Sequence, residues 1–371
     1  MLGGLEWYIY NISRHLIARG HEVHVFVAKS HGESLPDEEV IEGINVHRLP
    51  LYLDVAYRVK IMKGLVLLLA TGGFDIIHTY DYAAYHSAAS IFVKRICKIP
   101  VVLTVMDVHS LIPRRLWKRL ALSFFEKGFA RFVLNSVDKI LVRANELRPE
   151  LRKIGVDGNK ILITPSGIDG RALKLTSGSP FRSRYGISGK LILFTGRIHP
   201  IKGLGTLVLA MPMVLARFHD AKLVIAGPDQ VGYKKTLVKL AEELGVKDSL
   251  LFLEPIEDFD KKMQAYAACD LFVLPSLFEG TSQAIFDAMS QGKPIVASRR
   301  GGIPSQIADG MEGLLIDPND PNTLADSIIK LLSDRKLAKR LGENARKKAC
   351  LFTYDILIKQ IEGIYENLTT S

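Results

Sequence analysis

The feature that most constrains this chain is a repeated alternation. Short runs rich in Val, Ile, Leu and Phe are separated by amphipathic stretches of helical period, and the pattern pauses once, near 170–188, before it restarts. Strands that alternate with helices make a parallel sheet, because a crossover helix is what returns the chain to the same end of the sheet; helices then cover both faces. In the first half, strands are expected at 21–28, 44–49, 76–78, 101–105 and 139–142, with helices at 8–19, 58–70, 82–96 and 113–134. A run at 161–164 leads through Pro165-Ser166-Gly167 into a polar connector over 176–188. Beyond it, strands are expected at 191–195, 222–226, 250–253, 271–274 and 294–297, and helices at 204–217, 233–244, 260–267 and 282–291. Helical periodicity resumes over 321–332 and 336–367. The expectation is an α/β protein of two halves of similar size, 1–170 and 171–350, with 351–371 as a helical stretch that can return to the first. A cleft between such domains, at the carboxyl ends of the strands, is where a ligand is expected.

A length of 371 residues exceeds what one core usually serves, and 48% hydrophobic residues supply enough apolar surface for two. No apolar run approaches the roughly 20 residues that span a bilayer. The first twenty residues carry Glu6 and Arg14 around an aromatic stretch, without the basic start, apolar middle and small-residue cleavage site of a secretion signal. Cys97, Cys269 and Cys350 lie far apart and form no CxxC pair, which fits a reducing compartment. A cytoplasmic location is expected.

Gly196-Arg197 and Lys202-Gly203 follow the apolar run 191–194, so both cationic heads can leave one strand-end loop. A planar guanidinium and a compact ammonium together suit a diphosphate. Further on, the segment 275–282 runs from a strand into a helix, with Glu279-Gly280 in the loop and Thr281 or Ser282 as the candidate N-cap. The amino end of that helix would offer backbone donors to phosphate. Asp287, eight residues after Glu279, lies about two turns along and can accept a hydrogen bond from a ribose hydroxyl. Gly301-Gly302 forms a turn in which backbone can approach a ligand closely. Gly203-Leu204-Gly205 is not a dinucleotide fingerprint, since Val208 stands where its third glycine belongs; GxxxxGK[ST] and HExxH are also absent.

On these residues the chain resembles glycosyltransferase family 4, from Gly3 to about Tyr365. The resemblance implies the GT-B fold, with its two Rossmann-like domains facing across a cleft, and transfer of a sugar from a nucleotide-sugar donor to an acceptor. It implies that Arg197 and Lys202 bind the donor diphosphate and that Glu279 binds the donor sugar. It also gives Asp287, one methylene shorter than the family's glutamate, to the ribose. The Gly3-Gly4 loop approaches the diphosphate, while Gly196, Gly280, Thr281 and Ser282 complete the donor side. Further likeness lies in 165–169, in Gly301-Gly302-Ile303-Pro304 and in Phe352-Thr353-Tyr354, just before the crossing helix. Retention of anomeric configuration is implied too. With fixed cations at the diphosphate, no metal and no other cofactor is expected. A nucleotide-sugar epimerase of the same fold, or a homologue that binds without turnover, is the alternative.

The departures concentrate in the first domain, which handles the acceptor in that family. Thr104-Val105-Met106-Asp107 has methionine where the family has histidine, and a thioether cannot donate that hydrogen bond. His78-Thr79-Tyr80-Asp81 has tyrosine for a second histidine, and Arg143 follows Val142 where serine is usual. Tyr80, Asp81, Asp107 and His109 are the acceptor-side candidates. The family places a strand before its Gly-Gly loop, in the middle of the first sheet. This chain opens at Met1-Leu2-Gly3-Gly4, so we expect either a segment of some fifteen residues upstream or strands that close up without it.

The net charge of +10 is uneven: residues 94–153 hold 14 Lys or Arg against 5 Asp or Glu. Within them Arg114/Lys118 and Arg115/Arg119 repeat at helical spacing beside Trp117, Leu120 and Phe124. A basic amphipathic helix of this kind can lie on an anionic membrane, so 113–131 is a candidate peripheral contact. No DNA- or RNA-binding motif accompanies the charge, and no nucleic-acid partner is expected.

Overall fold

The computed structural model describes residues 4–29, 34–56, 59–106 and 126–370. Two compact units divide the chain: residues 1–167 with 354–371, and residues 168–353.

Unit 1 opens with α1 (Gly4–Ile17), then β1 (His24–Lys29), β2 (Glu38–Ile41), β3 (Ile44–Ala56), β4 (Val59–Met62) and α2 (Leu65–Thr71). β5 (Ile77–Tyr80), α3 (Tyr85–Cys97) and β6 (Val101–Val105) follow; a π turn at Glu126–Ala130 leads into α4 (Arg131–Ser136), β7 (Lys139–Val142), α5 (Leu147–Lys153) and β8 (Ile161–Ile163). The order β5-β6-β7-β8 is all parallel, as the alternation requires. β6 is buried along its whole length, which is why it reads as an unbroken apolar run. The helix expected over 58–70 is corrected in its first part. Val59–Met62 is a strand antiparallel to β3, and Gly64, at φ 79°, separates it from α2. β2 was not expected at all: its four residues are exposed on one edge of β3, so no alternation marks them. Among the described residues β1 pairs only with β3 and β5 only with β6, so the strands do not close into one sheet.

Unit 2 contains α6 (Ser179–Tyr185), β9 (Leu191–Thr195), α7 (Leu204–Arg217), β10 (Lys222–Ala226), α8 (Tyr233–Glu243), β11 (Leu250–Leu253), α9 (Phe259–Ala268) and β12 (Leu271–Leu274). α10 (Gln283–Ser290), β13 (Ile295–Ser298), α11 (Ile303–Gln306), β14 (Leu314–Ile316), α12 (Pro321–Ser333) and α13 (Arg335–Ala349) complete it. Its sheet runs β11-β10-β9-β12-β13-β14, and every pair is parallel. From β9 the chain winds outward to β10 and β11, then returns to place β12 on the other side of β9. The reversal opens a crevice at the carboxyl ends of those two strands.

Gly203 makes that crevice tight. It sits at φ 69°, and a Cβ there would lie 2.0 Å from the carbonyl oxygen of Pro275, just past β12. Beside it the Leu277 amide donates to the Ile201 carbonyl at 2.8 Å, joining the loops after β9 and β12.

The helix expected over 336–367 is in fact two. A 3-10 turn at Cys350–Phe352 and an extended Thr353 interrupt it, and Thr353 bridges to Ile168. α14 (Tyr354–Thr369) then belongs to unit 1. Its Leu357, Ile358 and Ile361 share a core with Tyr8, Ile12 and Leu16 of α1 and with Val102 and Leu141 of the sheet. Glu362, in the same helix, accepts hydrogen bonds from Arg19 at 2.5 Å and His21 at 2.9 Å.

Two predictions follow from these contacts. Gly203→Ala meets both a left-handed φ and an occupied space, so it should destabilise the protein by about 2 kcal/mol or more; Gly245→Ala, at φ 68° in open space, should lose only about 1 kcal/mol. Urea unfolding midpoints compare them, and equal losses would mean that the Pro275 contact does not matter. The second concerns Glu362, whose carboxyl is held below its ordinary pKa by the hydrogen bond from Arg19 first and that from His21 next. A folded pKa below the unfolded one contributes stability above about pH 4.3, lost as pH falls through the folded value. Glu362→Gln should therefore flatten the acid limb of the melting-temperature profile and lower Tm at neutral pH by a few degrees.

Candidate functional site

Of the expected donor-side residues, all but Gly3 and Gly4 lie in unit 2, at or near the carboxyl ends of β9 and β12. Lys202 ends a 3-10 turn (Pro200–Lys202) whose first amide is capped by the His199 ring. Its ammonium meets the Glu279 carboxylate at 2.5 Å across 77 residues of sequence, and both side chains are 13% exposed. The Ser276 hydroxyl donates to the same carboxylate oxygen at 3.2 Å. A carboxylate this buried needs a countercharge and a donor, and it has both. Arg197 stands exposed at the end of β9, after Gly196, and no ion pair engages it among the described residues. The loops after β9 and β12 thus carry the neutralised Lys202–Glu279 pair and, at Arg197, a cation in no ion pair among the described residues.

The loop after β12 is held by the turn after β13. The Gly302 amide donates to the carbonyls of Glu279 and Gly280, at 3.0 Å each. A Cβ on Gly301 would fall 1.7 Å from the Glu279 carbonyl oxygen, and its φ of 55° also suits glycine. Thr281 and Ser282 lead into α10, with Ser282 as N-cap residue but without a side-chain cap. The expected free donor at Ser282 is taken: its amide gives its proton to the Gln306 side chain at 2.7 Å, and Gln306 donates back to the Ser282 carbonyl at 2.8 Å. Gln306 therefore fixes how α10 enters the site.

Asp287 is 5% exposed in the second turn of α10. One carboxylate oxygen accepts from Gln283 at 3.3 Å, and the other pairs with Lys262 at 3.0 Å. Lys262 lies in α9 and was not expected from the sequence. One turn further along α9, buried Tyr266 hydrogen-bonds Thr195, the last residue of β9, at 2.5 Å. Burial and then the Asp287 charge push the Tyr266 hydroxyl well above its ordinary pKa, so it stays a neutral phenol. The i,i+4 spacing of Lys262 and Tyr266 is the only trace of this in the sequence, and amphipathic helices show such spacing everywhere.

In unit 1, Gly4 begins α1, whereas Gly3, Asp107 and His109 lie outside the described residues, as does most of 113–131. Tyr80 ends β5 with its ring stacked on His78 at 4.6 Å. Burial drives the His78 pKa down to about 3, and its ring nitrogens meet the Tyr365 hydroxyl at 2.6 Å and the Thr104 hydroxyl at 2.7 Å. His78 is a neutral bridge between sheet and α14. Asp81 takes a positive φ of 65° and accepts from the Ala83 amide at 3.0 Å, which turns the chain from β5 toward α3. Met106, just past β6, has its sulfur 3.9 Å from the Arg143 guanidinium, which lies 4.9 Å above the Tyr8 ring. Tyr80, Asp81, Met106 and Arg143 thus gather at the carboxyl ends of β5, β6 and β7. No group of three or more His, Cys, Asp or Glu able to hold a metal ion occurs among the described residues.

Comparison with known proteins fits this geometry. Residues 2–170 match the model of Glycosyltransferase Family 4, and residues 181–348 that of Glycosyl transferases group 1. An uncharacterized glycosyltransferase of Methanocaldococcus jannaschii is 28% identical, with 99% of this chain and 95% of the relative covered. A D-inositol 3-phosphate glycosyltransferase of Acidothermus cellulolyticus is 26% identical, with 98% and 86% covered. The fold is shared with Anabaena HepE, solved with UDP, at TM-score 0.81, 20% identity and coverage of 98% and 96%. Sucrose-phosphate synthase of Thermosynechococcus elongatus gives 0.79 at 23% identity, with 99% and 94% covered. Parallel α/β units, a strand-end crevice of paired Lys and Glu, and two family matches that between them span most of the chain have one reading: this is a glycosyltransferase of family 4, with the GT-B fold.

Proposed function

We propose that this enzyme transfers a hexose from a nucleoside-diphosphate donor to an acceptor hydroxyl, with the donor held in the unit 2 crevice. The ion pair of Lys202 with Glu279 carries the reading, because it sets a phosphate-binding cation beside a carboxylate able to hold sugar hydroxyls. In the reaction, the bond from the anomeric carbon to the diphosphate oxygen breaks while the acceptor oxygen bonds to that carbon. The acceptor proton passes to the leaving phosphate. Charge grows on the diphosphate, and Arg197 and Lys202 stabilise it most strongly in the transition state. Glu279 orients the sugar and Asp287 the ribose. Attack from the face the diphosphate leaves keeps the anomeric configuration. UDP is the nucleotide to try first, because Anabaena HepE has been solved with UDP and with UDP-glucose.

The acceptor is approached from its class. Relatives named for inositol 3-phosphate make a polyol phosphate one arm of the test, and a lipid-linked sugar is the other. Incubating the enzyme with UDP-, GDP- and ADP-sugars and each acceptor, and measuring nucleotide release, should identify a pair that turns over. With that pair, Arg197→Ala should lower kcat/KM by 10²- to 10³-fold, the usual effect of losing one transition-state donor. An unchanged kcat/KM would make Arg197 a solvated surface charge.

A peripheral membrane contact belongs to the same reading. The candidate segment 113–131 continues into α4, where Phe132 is 45% exposed under the Arg95 guanidinium at 5.0 Å. On α3, Phe92 and Ile96 are 55% and 64% exposed, one turn apart, beside exposed Lys98. Apolar side chains among cations suit an anionic bilayer better than a neutral one. In sedimentation with vesicles, the enzyme should pellet with phosphatidylglycerol and not with phosphatidylcholine, and salt should release it. Phe92→Ser with Ile96→Ser should weaken the binding roughly tenfold. Equal, negligible binding to both vesicles would refute the contact.

A further inference from the structure

We propose that Lys262 is a positioning residue for the donor ribose: it holds Asp287 in the orientation that tells a ribonucleotide from a deoxyribonucleotide. This inference rests on the donor reading above and assigns a role to a residue outside the motifs that carry that reading.

Asp287 is one methylene shorter than the glutamate of the family pattern, so its carboxylate reaches less far from α10. It is also buried, and a buried carboxylate left without a countercharge is strongly unfavourable. Lys262 answers the charge from the neighbouring helix at 3.0 Å, on a side chain that is itself 26% exposed. Its ammonium also lies 5.6 Å above the Phe259 ring, which restricts where it can swing. Two of the roughly four lone-pair positions of Asp287 are then in use, by Lys262 and Gln283. Two remain, as many as the hydroxyls of a ribose.

The surroundings favour a site over a mere link between helices. Lys262 and Tyr266 stand one turn apart on α9; one fixes Asp287, and the other fixes Thr195 at the end of β9, next to Gly196 and Arg197. A single helix face thus ties the ribose carboxylate to the strand end that presents the diphosphate cation. Lys202 and Lys262 divide the work: each neutralises one buried carboxylate, and only Lys202 arises from the loop that meets the phosphates.

Calorimetric titration with UDP, 2′-deoxy-UDP and 3′-deoxy-UDP tests this. The wild-type enzyme should bind UDP at least tenfold more tightly than either deoxy analogue. Lys262→Met should bring the three affinities to within about threefold of one another. Lys262→Arg should keep the preference, and Lys202→Met should weaken all three ligands alike. Asp287→Asn should also lose the preference, with Lys262→Met causing no further loss in that background, as expected for two residues acting as one. Should Lys262→Met unfold, Lys262→Gln serves in its place. A Lys262→Met enzyme that keeps the wild-type preference would overturn the proposal and leave the donor reading intact. A wild-type enzyme that binds none of the three, in a panel where GDP and ADP also fail, would defeat the donor reading itself and this proposal with it.

Discussion

The parallel pairing of β9 with β12 is the constraint on which the site depends. Leu271 and Phe272 lie beside Ile192 and Leu193, although about eighty residues separate them. Nothing local could bring Lys202 to Glu279. The sheet does so because the chain leaves β9 on one side and returns on the other, and two helix amino ends then face one crevice. Once that order is set, the loop contacts follow from close approach: glycine at 203 for the backbone of Pro275, and glycine at 301 for the backbone of Glu279. Side chains at those positions would push apart the two loops that the strand order brings together.

Burial then dictates how the charges are arranged. Glu279 and Asp287 are both largely out of water, and each has a lysine partner together with a neutral donor, Ser276 or Gln283. Such pairs contribute little net stability, since desolvation offsets much of the attraction, but breaking one leaves an isolated buried charge. Their worth lies in orientation. Each carboxylate is held in a direction the protein has already fixed, and under the proposed function that leaves little reorganisation for the moment of binding. Arg197 is the complement: exposed and in no ion pair among the described residues, it is the cation that the proposed function assigns to the diphosphate.

How much of this could be read in advance depended on burial. Strands 191–195, 222–226 and 271–274 of the unit 2 sheet coincide with expectation, because strands covered on both faces show as continuous apolar runs, and 250–253, half-buried at the sheet's edge, is apolar throughout and coincides too. The placement of Arg197, Lys202 and Glu279 in strand-end loops was legible as well, since loops punctuated by glycine mark themselves. Lys262 and Gln306 were not. Their roles come from contacts across 24 or 25 residues, and each sits in a helix where a lysine or glutamine is unremarkable. β2 and β4 escaped for the opposite reason: at the margin of a sheet, exposed or in short antiparallel pairing, they carry neither the apolar run nor a clean alternation.

Unit 1 is built differently, and the difference bears on how the chain must fold. Its own sheet is in two parts among the described residues, and one of its cores is assembled from three distant stretches: α1, the strands β6 and β7, and α14. His78 in β5 reaches Tyr365 across 287 residues, and Arg19 reaches Glu362 across 343. Closing loops of that length before any contact rewards them is slow, and contacts so distant in sequence form late. Unit 2 lies wholly between the segments that complete unit 1, so its own parallel sheet can form without waiting for either end of the chain. Unit 1 cannot complete this core until α14 has emerged and docked. The group of Tyr80, Asp81, Met106 and Arg143 at the strand ends of unit 1 thus stands on a scaffold whose last support is the C-terminal helix, and loss of the Glu362 clamp would be felt in that scaffold.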